Sequence, residues 1–596
     1  MSDDETTPDH GTPMAPPRTS RRRGLWVATG VAGLTGVVGL AALGGLAARN
    51  DRAGDPERVA DNRATAPQNA DEASPEDSVG HDPKAEDHAD HDPKAESGTG
   101  HDLKGEDLFD AGPAWEGVHG QGGPDGKDAD GREGPEWGAR GGAEEHDGTR
   151  EVPCDDDALV DAIELANRDH GGTLKLAEKC TYELDVKDRK IGGALPEIKQ
   201  DVTIKGNGST ITRDAEDSFR IFRVVDGGAL TLKDLTISGG NASEFAYPQG
   251  SVGLRRQAGP VARPPAAVRS APAGGGEKRG EGDGGALLVE RGGKARLAQV
   301  TLTGNNAGGD GGAVANFGRV WLEDSKVVNN HARGDGGGVF NRGVLKVEET
   351  KVDDNTAGGN GGGIANGGGG RRTGVGHVAG TVEITGAWDG KDTSPSTLSR
   401  NHAGRNGGGL FSGGGYVTVS FTAITGNTAC ENGGGIYAEN TDLDVGKVIV
   451  AGNHAGRDGG GVDTGEGFAT VADSIIVDNT ANRFGGGIYN GQWLIKIEDG
   501  FLTTPQDEDD NAALTLRNTV IKGNTALNGG GIFNNKAKIT LTKTHVTENT
   551  ATDTAKLHRV AGGVLNHEGH VKLDDESLIS NNDPTNCANT VEDCFT

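Results

Sequence analysis

Apolar positions between residues 284 and 580 recur in a fixed phase that is not the 3.6-residue period of a helix. The marker is two glycines, a small residue and then an aliphatic one. It stands at 284–287, 311–314, 336–339, 361–364, 407–410, 433–436, 459–462, 485–488 and 529–532, and is shortened at 562–564. Most steps are 25 to 27 residues, and the longer ones, of 46, 44 and 33, read as loop insertions within a repeat. An asparagine keeps step with the glycines at Asn305, Asn330, Asn355, Asn401, Asn427, Asn453, Asn479, Asn524 and Asn549, with Asn241 and Asn581 as outer members. Ten, eight and three residues before it the side chain is almost always aliphatic, as in Val320, Leu322 and Val327 or Leu443, Val445 and Val450.

The pair at −10 and −8 has the period of a strand, the residue at −3 belongs to a second strand, and the aliphatic after the glycines to a third. Three short strands in one repeat, turning the same way each time, make one coil of a parallel β-helix. Coils stack about 4.8 Å apart, so eleven asparagine-marked coils build a rod of about 50 Å. The stacked asparagines are placed to bond amide to amide from coil to coil. Glycine then serves the corners, where the backbone needs φ > 0 or close approach. This gives a use to the 103 glycines among 596 residues, which exclude an ordinary helical bundle and, lacking a strict third-residue period, collagen.

An open coil exposes unpaired edges and needs a cover. Residues 155–169 form an amphipathic helix with Asp155, Asp156 and Asp157 at its start and Gly171 and Gly172 at its end; Leu159, Val160, Ile163 and Ala166 share one face. It is expected to cap the N-terminal end. Residues 242–283, rich in Pro, Gly, Ala and Arg, are expected to be an inserted flexible loop.

Upstream, residues 24–48 carry no charge and follow Arg18, Arg21, Arg22 and Arg23. As a helix they rise about 37 Å, enough to span a bilayer. The basic flank puts residues 1–23 in the cytoplasm and the rest outside. A cleaved signal sequence, with Gly45 and Ala47 at the processing site, is the competing reading and leads to secretion. Residues 49–151 read as a disordered acidic linker. Residues 51–150 alone hold 27 acids and 10 bases, more than half of the net −30. Its repeats at His81, His91 and His101 are read as solvated spacer, not as metal ligands. So acidic a chain is a poor candidate for nucleic acid. Cys154 and Cys180 flank the first helix-and-strand unit, Cys587 and Cys594 bracket a short C-terminal loop, and Cys430 is left over. Two local disulfides follow if the compartment is oxidising.

From 152 to 596 the sequence resembles bacterial right-handed parallel β-helix repeat proteins, through the glycine turns, the segment Ile424–Thr425–Gly426–Asn427 and the stretch at 205–211. Its pairing of the glycine turn with a phased asparagine is also similar to the repeats of polymorphic outer-membrane proteins, a surface adhesin family. The resemblance implies an all-β, right-handed parallel β-helix. It leaves function open, because this fold hosts enzymes, adhesins and structural proteins.

Candidate chemistry is sparse. Asn440-Thr441-Asp442 matches one polygalacturonase signature, but the companion motifs do not follow at coil spacing. Glu323 and Glu348 stack in adjacent coils, as do Asp283, Asp310 and Asp335 before the glycines. The latter are read as turn formers rather than a calcium site. No cofactor or metal is expected. The residue after each glycine-turn aliphatic points outward and is often aromatic: Phe411, Tyr437, Tyr489 and Phe533. These are read either as rungs for stacking on sugar rings or a partner, or as rings packed on one another beneath a loop. The sequence therefore points to a cell-surface or secreted β-helix with a binding or structural role, recognising polysaccharide or a surface partner. The alternative is a polysaccharide lyase or glycoside hydrolase with a groove along the coils.

Overall fold

The computed structural model describes residues 149–185, 193–242, 282–368, 379–388, 393–491, 496–498, 501–503, 512–553, 560–589, 591 and 594. The tail 1–23, the apolar segment 24–48, the linker up to 148 and the inserted loop at 243–281 lie outside the described residues. Among the described residues no helix is long and apolar enough to cross a membrane. Thr149–Val152, just before the expected β-helix boundary at 152, is already a strand, paired in parallel with Gly172–Leu176.

Each repeat is one coil, and each strand pairs in parallel with its equivalent in the next coil. Arg319–Glu323 lies on Val344–Glu348, Lys326–Val328 on Lys351–Asp353, and Val339–Asn341 on Ile364–Asn366. An additional strand of two residues, missed by the periodicity, follows the asparagine: His331–Ala332 lies on Thr356–Ala357. The first two strands of each coil join one 24-stranded sheet, the two-residue strands a 10-stranded sheet, and the strands after the glycines a 12-stranded sheet. We refer to these strands as first to fourth in the order they occur in a coil.

Alternation along each strand sends the predicted aliphatic columns inward. Val320, Leu322, Val327, Leu443, Val445 and Val450 are all buried in one continuous core, and the aliphatics after the glycines join it from the other side. Removing such columns from water is the main drive for stacking. The glycines are needed where coils touch. A Cβ on Gly434 would sit 2.4 Å from the Gly460 carbonyl oxygen and 2.6 Å from the backbone of His454. Gly433 beside it has φ +64°, which suits a residue without Cβ.

At the N-terminal end the helix Asp156–Arg168 buries Leu159, Ile163 and Ala166, while Val160 is partly covered. Asp155 accepts from the Ala158 N–H at 2.9 Å, and Asp156 and Asp157 lie in the first turn, where the helix dipole favours acids. Cys154 is bonded to Cys180 and Cys587 to Cys594, with Cα separations of 5.7 and 6.4 Å. Cys430 is free and exposed.

Polar ladders run through the stack. The Asn427 side-chain oxygen accepts from Asn401 N at 2.9 Å and Asn401 Nδ2 at 3.0 Å. The same exchange links the column from Asn305 to Asn549. The ends differ from the sequence reading. Asn582, not Asn581, continues the ladder, and Gly240 rather than Asn241 occupies the first rung. A second ladder, Asn316 to Asn341 to Asn366, runs along the fourth strands and reappears at Asn490, Asn534 and Asn566.

Candidate functional site

The four aromatic rungs stack but are closed to solvent. Phe411 lies on Tyr437 with ring centroids 5.5 Å apart and planes 2° apart, and Tyr489 lies on Phe533 at 5.4 Å and 6°. Phe411, Tyr437 and Tyr489 are each 1% exposed and Phe533 is 0% exposed. The expectation of an exposed aromatic rung is therefore corrected. Strand alternation takes these rings away from the central core, yet the glycine turn folds back over them. Gly433 approaches so closely that a Cβ there would lie 2.6 Å from the Tyr437 Cβ. The rings form two satellite cores, one around Phe340, Phe411 and Tyr437 and one around Phe484, Tyr489 and Phe533.

Between these two cores the same column contains Asp463, in register with Tyr437 on one side and Tyr489 on the other. It is 2% exposed, and its Oδ1 is buried with no hydrogen-bond partner. Burial, with Asp458 and Glu439 nearby, raises its pKa well above the ordinary carboxylate range, against the opposing charges of Arg483 and Arg457. Arg483 is committed to Asp458, donating from Nε to Oδ1 at 2.9 Å and from Nη2 to Oδ2. Sequence reading placed Asp463 in the outward column but assigned it no role.

Among the described residues, the most exposed aromatic side chains lie elsewhere, on the outer face of the first strands. Tyr416 and Phe468 are each 64% exposed. They occupy equivalent positions two coils apart, with Asp442 between them in register. Two coils span about 9.6 Å. The next outward column carries Thr418, Asp444 and Thr470, again in register. The inward neighbours Val417, Leu443 and Ala469 anchor this surface in the core. The signal was present in the sequence. Tyr416 and Phe468 stand eleven residues before Asn427 and Asn479, flanking an inward aliphatic or small position, where alternation requires outward side chains.

The other acids are engaged. Arg296 donates to Glu323 at 2.6 Å and stacks over Trp321 at 4.2 Å. Glu348 accepts from Trp321 Nε1 at 2.7 Å and pairs with Lys346 at 2.7 Å. Each acid is thus tied to a cation, and Glu348 also to the Trp321 indole. Before the glycines, Asp283 Oδ1 accepts from Asp310 N and Asp310 Oδ1 from Asp335 N, both at 2.8 Å. These side-chain-to-backbone bonds tie the turn of one coil to the turn of the next. No group of three His, Cys, Asp or Glu placed to hold a metal occurs among the described residues. Burial pushes the Asp310 carboxyl up to about 7, aided by the charge of Asp335. A raised folded-state pKa means stability that is present below the unfolded value of about 3.9 and is lost as pH rises through 7. Asp310→Asn is expected to flatten that part of the profile, measured as the urea midpoint at pH 4, 5.5 and 7.5.

These strand registers decide the architecture. The chain is a parallel β-helix repeat protein. The Chlamydia polymorphic membrane protein (Chlamydia_PMP) repeat matches residues 421–439, which span the Asn427 rung and the Gly433 turn. Among solved structures, the A-module of Azotobacter vinelandii mannuronan C-5 epimerase AlgE6 is 14% identical, covering 72% of this chain and 92% of that one, with a TM-score of 0.31. The AlgE4 A-module from the same organism is 13% identical over 71% and 95%, also at 0.31. PfbA, a surface adhesin of Streptococcus pneumoniae, is 10% identical over 71% and 88%, at 0.22. No curated protein matches the sequence at a significant level. The activity of this β-helix protein has to be argued from its own residues.

Proposed function

We propose that the protein is a right-handed β-helix displayed outside the cell, with a binding and structural role, and that the face of Tyr416 and Phe468 recognises polysaccharide. The observation that carries this reading is the pair of aromatic side chains left 64% exposed on a sheet where Trp321, on the same outer face, is partly buried and covered by Arg296. An aromatic face stacks on the apolar face of a sugar ring, and a sheet fixes the spacing of successive stacking sites. Two coils give a separation of about 9.6 Å, comparable to a disaccharide repeat in an extended glycan. Two disulfides support an oxidising compartment. The uncharged segment 24–48 serves as anchor or leader, and the acidic linker 49–148 as a spacer holding the β-helix away from the membrane. The helix Asp156–Arg168 closes the N-terminal end of the coils.

Replacing both Tyr416 and Phe468 by Ala is expected to weaken glycan binding by about tenfold or more, at about 0.5–1.5 kcal/mol for each aromatic contact. Both side chains are exposed, so the melting temperature should barely move. A glycan array probed with wild type and the double variant measures this. Identical array profiles for the two proteins would remove this face from the reading.

A further inference from the structure

The polysaccharide reading leaves the charge of the sugar open, and the same face specifies it. Asp442 lies between Tyr416 and Phe468, and Asp444 occupies the adjacent outward position of the same strand, between Thr418 and Thr470. Both carboxylates are exposed. Acids on neighbouring surfaces have cationic partners: Glu323 pairs with Arg296, Glu348 with Lys346, Asp354 with Arg400 and Asp458 with Arg483. Among the described residues, Asp442 and Asp444 have none. Alternation on one strand places both acids on one side of the sheet, in the span between the two rings. Glu383, one coil before Thr418 on the same outer face, is again paired, with Lys346 at 3.8 Å, so the unpaired acids of this column begin at Asp444.

We infer that this face binds a cationic amino-sugar polymer, with two sugar rings stacked on Tyr416 and Phe468 and an ammonium group on the intervening residue held by Asp442 and Asp444. The inference rests on the polysaccharide reading and adds the sign of the ligand. A uronic-acid polymer meets like charge on this face. A neutral polymer keeps the stacking and lacks the ion pair. Unpaired carboxylates beside exposed rings satisfy both parts of an aminated sugar ring, its apolar face and its charged substituent. The threonine hydroxyls at 418 and 470 flank Asp444 and offer hydrogen bonds to ring substituents.

The test uses the full-length chain and titration calorimetry with three probes at low and high salt. The probes are a β-1,4-linked glucosamine hexamer, its fully N-acetylated counterpart and an oligouronate of equal length. Wild type is expected to bind the glucosamine hexamer most tightly. The Asp442→Asn, Asp444→Asn double variant should lose about fivefold of that affinity, as two exposed ion pairs allow. Its affinity for the N-acetylated hexamer should be unchanged. A control removing the same charge elsewhere, Asp161→Asn with Glu164→Gln on the exposed side of the helix Asp156–Arg168, should bind like wild type. Equal binding of the aminated and acetylated hexamers, tighter binding of the oligouronate, or an equal loss in the control overturns the inference and leaves the polysaccharide reading standing. Failure of all three probes to bind wild type overturns both.

Discussion

Asn427→Ala is expected to destabilise the central coils by on the order of 4 kcal/mol, the largest loss we foresee for a single side-chain truncation outside the aliphatic core. Asn427 Nδ2 donates to the Leu398 carbonyl at 2.8 Å and to Asn453 Oδ1 at 2.9 Å, while its Oδ1 accepts from Asn401 N and Asn401 Nδ2. The residue is fully buried. Truncation leaves the Leu398 carbonyl and the Asn401 donors without these bonds in a region water does not reach. Each orphaned group costs about 1–3 kcal/mol. Asn427→Asp should be at least as damaging, because a carboxylate supplies the acceptor and loses both donations. Asn427→Ser shortens the reach and is expected to fall between wild type and Ala. The measurement is the urea midpoint with limited proteolysis across residues 398–453. The expected signature is early cleavage near the substituted coil, since repeat arrays open locally. An unchanged midpoint for Asn427→Ala would mean that the ladder accompanies stacking without holding it.

The core of the coil was legible because two signals of different chemistry keep one phase. The asparagines fix the corner, and the aliphatics at −10, −8 and −3 fix which side of each strand is inside. The two-residue strand, as at His331–Ala332, escaped because it is too short to show any period. The second asparagine ladder escaped for another reason. Asn341 and Asn366 follow an inward aliphatic by two residues, so strand alternation places them inside, yet a polar residue inside a coil does not register as core. The aromatic rungs show the limit of alternation as evidence. It tells which side of the sheet Tyr437 occupies. It does not tell that the glycine turn of the same coil closes over that side. Tyr416 has the same alternation on a different sheet and is 64% exposed. Exposure is a property of the covering segment, and the sequence pattern describes only the strand.

Asp463→Leu is expected to raise stability by about 3 kcal/mol. The column it occupies accepts aliphatic and aromatic side chains alike, for Leu565 is itself a rung, paired with Phe533. Burying a leucine gains about 1.5–3 kcal/mol, and removing the orphaned Oδ1 recovers a further part of its desolvation cost. The substitution would also join the two satellite cores that Asp463 now separates. A pH series separates the carboxyl group from the shape of the side chain. The folded-state pKa of Asp463 is raised, so the folded state holds a proton the unfolded chain has released. The associated stability is complete below about pH 3.9 and is lost as pH rises through the folded value. Wild type should therefore lose stability with rising pH relative to both Asp463→Leu and Asp463→Asn. The two variants should run parallel to each other, with the leucine chain higher. Thermal melts from pH 4 to pH 9 distinguish the outcomes. If Asp463→Leu melts below wild type throughout, the Arg483 and Asp458 pair depends on this carboxyl group, and the acid is a structural member of that network. If it melts above, Asp463 is an acid placed in an aromatic stack at the expense of stability, which marks this coil, next to the exposed Asp442 and Phe468, as the part of the β-helix where packing was not the only requirement.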